Sequence, residues 1–146
     1  MLELYVARHG ETDWNRERRL QGAVDIPLNA AGHAQALALA EKLARTSFVH
    51  LYVSALQRAQ QTAAVFPTDL ARTTLADLNE RSLGEFEGKQ VSGMDAKAFE
   101  VYQSRKYAWD DDLGGGESLR VHRERVRRAI ATIRARHDDG AVLIIA

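Results

Sequence analysis

The chain has 146 residues, with 20 basic and 20 acidic side chains and no cysteine. The balanced charge argues against nucleic-acid or membrane-surface binding through bulk electrostatics, and the missing cysteines exclude disulfides and thiol chemistry. No segment approaches the roughly 18 apolar residues of a membrane span. The first predicted strand begins too close to Met1 for a signal peptide, so we expect a cytoplasmic protein. The length suggests one domain, residues 1–146.

Strands and helices are predicted to alternate along the chain. Buried apolar runs predict strands over residues 2–7, 49–53, 73–78 and 141–146. Apolar residues at helical spacing predict helices over residues 31–46, 55–66, 96–105 and 119–137, the last capped by Ser118. Polar residues 11–29 predict a long functional loop, and residues 84–116 a cap-like insertion. This order predicts an α/β fold with three layers, α/β/α, around a mostly parallel sheet.

Chemically capable side chains follow the first three predicted strands. Arg8 and His9 end the first strand, Arg58 follows the second, and Glu80 ends the third. Ligands of such sheets bind beyond the carboxyl ends of the strands, so we expect these four side chains to meet there. Gly10 allows the sharp turn that must follow His9.

Two arginines beside a histidine suit a phosphate group. The guanidinium groups can neutralise a phosphoryl dianion, and as like charges they lower the pKa of His9, which keeps the imidazole nucleophilic. His9 would attack phosphorus to form a phosphohistidine, while Glu80 protonates the leaving alcohol and later takes a proton from water. No group of histidines and carboxylates has the spacing of a metal site, so the hypothesis includes neither a metal nor a cofactor.

Several motifs occur in a fixed order over nearly the whole chain. They are residues 4–15, Leu20-Gln21-Gly22, residues 25–28, residues 32–36, residues 54–62, residues 78–88 and Gly116-Glu117-Ser118. Together these motifs resemble those of the histidine phosphatase superfamily, also called phosphoglycerate mutase-like.

The resemblance implies His9 as the nucleophile, Arg8 and Arg58 as phosphate ligands, and Glu80 as the proton donor. It also implies phosphate or substrate contacts from four residues of the long loop, Thr12, Asn15, Gln21 and Gly22. The sheet order that it implies is 3-2-4-1-5-6, with strand four between strands two and one.

One feature of the family is missing from this sequence. The family places a second histidine, in a His-Gly pair, directly after the fourth strand, whereas this sequence ends at Ala146, before that histidine and before strands five and six. The remaining histidines, His33, His50, His122 and His137, are not expected to substitute, and His33 and His122 are expected to be surface or satisfied side chains. If the protein truly ends at Ala146, it is expected to be a poor catalyst. An uncovered first strand would favour pairing with another chain, such as a homodimer.

The segment after Glu80 favours a phosphatase that acts on a small phosphomonoester. Leu83 stands where the family's mutases typically carry tyrosine, Phe86-Glu87-Gly88 stands in place of Leu-Gln-Gly, and residues 89–113 lack paired arginines. These features resemble the phosphatase branch, which includes alpha-ribazole phosphatase and broad-specificity enzymes. A phosphoglycerate mutase and an inactive, phosphate-binding pseudoenzyme remain as alternatives.

Three charged features also have structural interpretations. Glu80 could be a surface carboxylate that pairs with Arg81, and residues 110–112 are expected to form a solvated acidic loop. Seven arginines lie between Arg120 and Arg136, and they are expected to form the solvated face of the last helix.

Overall fold

The computed structural model describes residues 1–146 and is built on a parallel four-stranded sheet. The strands are β1 (Leu2–Ala7), β2 (Phe48–Val53), β3 (Arg72–Thr74) and β4 (Gly140–Ile145). Their spatial order is β1-β4-β2-β3, and every adjacent pair is parallel. The order expected for these four strands is confirmed, with β4 at the centre and β1 at an edge. Pairing of that edge with another chain stays a prediction.

Helices pack on both faces of the sheet. The chain has five helices, α1 (Asp13–Arg16), α2 (Ala30–Leu43), α3 (Gln57–Ala63), α4 (Ala96–Tyr107) and α5 (Leu119–Arg136). Of these, α2 and α3 pack on one face of the sheet and α5 on the other. Leu51 and Leu143 face one side, where they pack with Ala59 of α3, whereas Val142 faces the other side and packs with Ile133 of α5. This alternation follows from the pleat of β2 and β4, and it confirms the predicted α/β fold. None of the helices combines the length and the apolar character needed to cross a bilayer.

Two elements are much shorter in the structure than the sequence predicts. β3 is only three residues long, and Ala76–Leu78 forms a 3-10 turn where a strand was expected. Leu78 is buried against α5 and β2, which explains why its segment has the apolar pattern of a strand. The helix predicted over 55–66 is shorter, because α3 ends at Ala63 and Phe66 beyond it is buried in the core. Glu80 therefore reaches the edge of the sheet through a turn.

Candidate active site

The chain turns sharply after β1, and three other elements hold this turn. The His9 N–H donates to the carbonyl of Ala146 beyond β4 at 2.9 Å. The Gly10 N–H donates to the hydroxyl of buried Thr62 on α3 at 3.0 Å. A Cβ at Gly10 would lie 2.4 Å from the carbonyl oxygen of Gly32 on α2, so only glycine fits here. The position of His9 is thus set by β4, α3 and α2 together.

The two ring nitrogens of His9 have different partners. Nδ1 lies 2.7 Å from the carbonyl oxygen of Gly10, and Arg58 Nε donates to Nε2 at 3.1 Å. Because a carbonyl only accepts and a guanidinium only donates, Nδ1 carries the proton and Nε2 carries the lone pair. The lone pair of His9 Nε2 therefore faces the arginine.

The environment of His9 keeps its imidazole neutral. The pKa of His9 is lowered from 6.5 to about 4, with burial as the largest cause and the charges of Arg58 and Arg8 as further causes. The hydrogen bond to Gly10 and the charge of Glu80 act in the opposite direction. The lowered pKa of His9 agrees in direction with the sequence prediction. That prediction named only the charges of the two arginines, whereas burial is the larger cause.

Arg58 connects the long loop to His9. The side chain is 1% exposed, and besides its bond to His9 it donates to the carbonyls of Val24 at 2.7 Å and Gly22 at 2.8 Å. The carboxylate of Asp25 accepts from the N–H of Gln57, the residue before Arg58, at 2.7 Å. The loop and the start of α3 are therefore held together around a buried guanidinium.

Arg8 and Glu80 lie at the junction of two cavities near His9. One cavity has a volume of about 380 Å³ and is lined by Arg8, His9 and Glu80. The other, of about 390 Å³, is lined by Arg8, Glu80 and residues of the long loop. The exposed guanidinium of Arg8 makes no hydrogen bond within the protein, so its donors are available to a ligand. The four residues predicted to meet at the sheet edge do so in this structure.

The backbone around Glu80 is fixed from both sides. Asn79 Oδ1 accepts from the Ser54 hydroxyl and from the N–H of Ala55, both at 2.8 Å. Arg125 of α5 donates to the carbonyls of Asp77 at 2.9 Å and Asn79 at 2.8 Å. The Glu80 carboxylate itself is exposed and accepts only the N–H of Arg81, at 2.8 Å. Its other carboxylate oxygen therefore has no hydrogen-bond partner within the protein.

The alternative pairing of Glu80 with the side chain of Arg81 does not occur. The Arg81 guanidinium is buried and donates to three backbone carbonyls, those of Glu117 at 2.6 Å, Lys106 at 2.7 Å and Asp111 at 3.3 Å. Arg81 thus joins the segment after Glu80 to α4 and to the start of α5.

Three of the four loop residues predicted to contact substrate line the cavity of about 390 Å³, namely Asn15, Gln21 and Gly22. The fourth, Thr12, does not: it is fully buried as the N-cap of α1. Its hydroxyl lies within hydrogen-bonding distance of Asn15 Oδ1 and Gln21 Oε1. Thr12 therefore positions the amides of Asn15 and Gln21, and its own contact with substrate stays a prediction.

A family model provides the identification. The model of the histidine phosphatase superfamily, branch 1, matches residues 4–146. The chain belongs to the histidine phosphatase superfamily. The resemblance seen in the ordered motifs is thereby confirmed.

Individual relatives of this histidine phosphatase chain carry both phosphatase and mutase names. Phosphoglycerate mutase-like protein 4 of Arabidopsis thaliana is 36% identical over 98% of this chain. The mycobacterial glucosyl-3-phosphoglycerate phosphatase has a TM-score of 0.86 and 31% identity, covering 98% of this chain and 74% of that one. Phosphoglycerate mutase from Thermus thermophilus has a TM-score of 0.74 and 32% identity, covering 97% and 75%. This chain spans between 63% and 65% of the length of the curated relatives it matches first.

Several residues of this histidine phosphatase site were not found from the sequence. His122 was expected to be a surface or satisfied histidine, but its half-buried side chain lines both cavities beside Arg8 and Glu80. Arg125 was expected on a solvated face, but it contacts the Glu80 segment and pairs with Glu117 at 2.6 Å. The periodicity of α5 shows which residues share a face, but it does not show which turn lies beside the sheet edge.

Two carboxylates of the acidic loop expected at residues 110–112 form ion pairs. Asp111 receives two hydrogen bonds from Arg105, at 2.8 and 2.9 Å, and this arginine lowers the pKa of Asp111 to about 2. Asp110 pairs with Arg120 at 2.6 Å. The loop therefore connects α4 to α5 near the cavity.

Proposed function

We propose that the chain carries the catalytic residues of a phosphatase that hydrolyses small phosphomonoesters through a phosphohistidine on His9. The observation that carries the proposal is the pair of contacts at the His9 ring. With Nδ1–H bonded to the Gly10 carbonyl, the lone pair on Nε2 lies beside Arg58 and near the free guanidinium of Arg8. A neutral nucleophile between two cations suits attack on a phosphoryl dianion.

The first half of the reaction forms the intermediate. Arg8 and Arg58 bind the phosphoryl oxygens, for which Arg58 must exchange its contact with Nε2 for one with the ligand. The Nε2 lone pair then attacks phosphorus while the P–O bond to the alcohol breaks, and Glu80 donates its proton to the leaving oxygen. Each donor to the developing charge is typically worth about 10²–10³ in rate.

The second half restores the enzyme. The ionised Glu80 takes a proton from water, the hydroxide attacks phosphorus, and the P–N bond breaks to release inorganic phosphate. The amide groups of Asn15 and Gln21 line the same cavity and supply further donors to the phosphoryl oxygens. The cycle returns neutral His9 and protonated Glu80.

Acid-quench labelling with p-nitrophenyl phosphate tests the intermediate. We expect acid-labile phosphate on His9, no label and no turnover in His9→Gln, and normal labelling in His33→Gln, which alters an exposed histidine of α2. Glu80→Gln should slow hydrolysis of alkyl phosphates more than that of p-nitrophenyl phosphate, because the aryl leaving group needs no proton. Label retained by His9→Gln would overturn the assignment.

A second candidate is phosphoglycerate mutase activity, which the names of two similar proteins favour. The same phosphohistidine would then transfer its phosphoryl group to the free hydroxyl of 3-phosphoglycerate rather than to water. The resulting bisphosphoglycerate would return its other phosphoryl group to His9 and leave as 2-phosphoglycerate. Phosphorus NMR of a reaction with 3-phosphoglycerate separates the two functions. Growth of the inorganic phosphate signal supports the phosphatase, whereas formation of 2-phosphoglycerate without free phosphate supports the mutase.

A further inference from the structure

Three residues line both cavities of the candidate site: Arg8, Glu80 and His122. The first two have roles in the proposed phosphatase, as phosphate ligand and proton donor. His122 lies in the first turns of α5, and its backbone N–H bonds to the carbonyl of Ser118 in the helix. The proposed reaction assigns no role to His122, although the residue lines both cavities.

The imidazole of His122 is half-buried but makes no hydrogen bond within the protein. Two of the charged groups near it have other partners: Arg125 binds Glu117 at 2.6 Å, and Arg81 binds three carbonyls. Burial, followed by the charge of Arg125, lowers the pKa of His122, while Glu117 and Glu80 act against this shift. A neutral imidazole therefore offers one donor and one acceptor at the junction of the cavities.

His122 lines both cavities together with Glu80, the proposed proton donor to the leaving group. In the proposed reaction, Glu80 protonates the oxygen of the departing alcohol, so that oxygen must lie next to Glu80. The cavity of about 390 Å³ is lined by Glu80, His122 and Lys106. The Lys106 ammonium makes cation–π contacts with Tyr102 and Tyr107, at 5.6 and 5.2 Å from the ring centres, and has no carboxylate partner. The alcohol part of a substrate would thus meet polar hydrogen-bonding groups there.

We propose that His122 is a specificity-determining residue that hydrogen-bonds an oxygen on the alcohol part of the substrate. The inference rests on the proposed phosphatase function and names a substrate class for it, the phosphomonoesters of polyols and hydroxy acids. A simple alkyl phosphate has no oxygen at this position and leaves the imidazole without a partner. Since His122 does not hydrogen-bond Glu80, it acts on the substrate directly and not by orienting the acid.

Kinetics with three substrates test this role. His122→Leu is expected to lower kcat/KM for glycerol 3-phosphate by about 10-fold, as the loss of one hydrogen bond to a substrate predicts, and to leave propyl and p-nitrophenyl phosphates within about two-fold. His122→Gln, which keeps a donor and an acceptor, should recover part of the loss. His33→Leu is the matched control on α2 and should change nothing. Equal losses on all three substrates, or no loss on any, would overturn the proposal.

Binding measurements separate this inference from the failure of the proposed function. Calorimetry with butylphosphonate and 3,4-dihydroxybutylphosphonate needs no turnover. The wild-type chain should bind the dihydroxy compound more tightly, and His122→Leu should remove that preference. Absence of turnover would count against the phosphatase alone. A wild-type chain without preference for the dihydroxy compound, or a preference that survives His122→Leu, would overturn the role of His122.

Discussion

Thr62 provides a direct test of how the turn at His9 is held. This residue of α3 is 1% exposed, and its hydroxyl accepts from the Gly10 N–H at 3.0 Å and donates to the Arg58 carbonyl at 2.7 Å. Thr62→Val keeps the shape of the side chain but removes the acceptor. The Gly10 N–H is then left in a buried position without a partner.

The magnitude follows from that single unsatisfied group. A buried donor without an acceptor costs about 1–3 kcal/mol, and we expect the free energy of unfolding of Thr62→Val to fall by this amount. The Arg58 carbonyl remains part of the helix, so its loss of one donor contributes less. A displacement of a reacting group by about 1 Å can cost about 10²-fold in rate, so kcat/KM is expected to fall by about 10- to 100-fold.

Urea unfolding followed by circular dichroism, together with p-nitrophenyl phosphate kinetics, measures both effects. Thr62→Ser keeps the hydroxyl and should retain most of the activity. Thr132→Val is the matched control, because the Thr132 hydroxyl on α5 makes no hydrogen bond within the protein. If Thr62→Val were as stable and as active as Thr132→Val, the turn would not depend on this bond and the reasoning would be refuted.

Three further predictions concern the nucleophile, the loop and metals. The ring signals of His9 are expected to titrate near pH 4 in NMR, because its pKa is lowered to about 4, and a midpoint near 6.5 would contradict the burial argument. Gly22→Ala is expected to lower the free energy of unfolding by about 1–3 kcal/mol in urea titrations, because φ at Gly22 is +52° and the new Cβ would lie 2.3 Å from Glu87 Oε1. Gly93→Ala is the control: a Cβ at Gly93 has room, so the free energy of unfolding should not change. Hydrolysis of p-nitrophenyl phosphate is expected to continue in EDTA; a loss that added magnesium or zinc restores would contradict the proposed chemistry.

The sequence predicted the residues whose positions follow from topology. Arg8 and His9 come directly after a buried strand, and parallel strands bring their carboxyl ends to one edge of a sheet. The same reasoning placed Arg58 and Glu80 there, although Glu80 arrives through a 3-10 turn and not at the end of a strand. The shorter strand does not change the predicted position of Glu80, because the turn after β3 ends at the same edge of the sheet.

Residues whose roles depend on long-range packing were not predicted. His122 belongs to an arginine-rich helix, and nothing local indicates that its turn of α5 lies beside Glu80. Thr12 is completely buried and supports the amides of Asn15 and Gln21, a packing role that the motif alone does not show. The contacts of Arg125 to Asp77 and Asn79 were also not predicted, because they join residues that are 48 and 46 positions apart in the sequence.

Buried arginines also explain how the site can be rigid and positively charged together. Arg58 and Arg81 are 1% and 5% exposed, yet their donors are satisfied mainly by backbone carbonyls and not by carboxylates. A carbonyl fulfils the hydrogen-bonding requirement of a guanidinium without cancelling its charge, whereas a carboxylate would do both. The positive charge is therefore retained, as the proposed binding of a phosphoryl dianion requires, and that of Arg58 helps to keep His9 neutral. Since the carbonyls that hold Arg58 belong to Gly22 and Val24, the geometry of the long loop directly determines the electric field at His9, the proposed nucleophile.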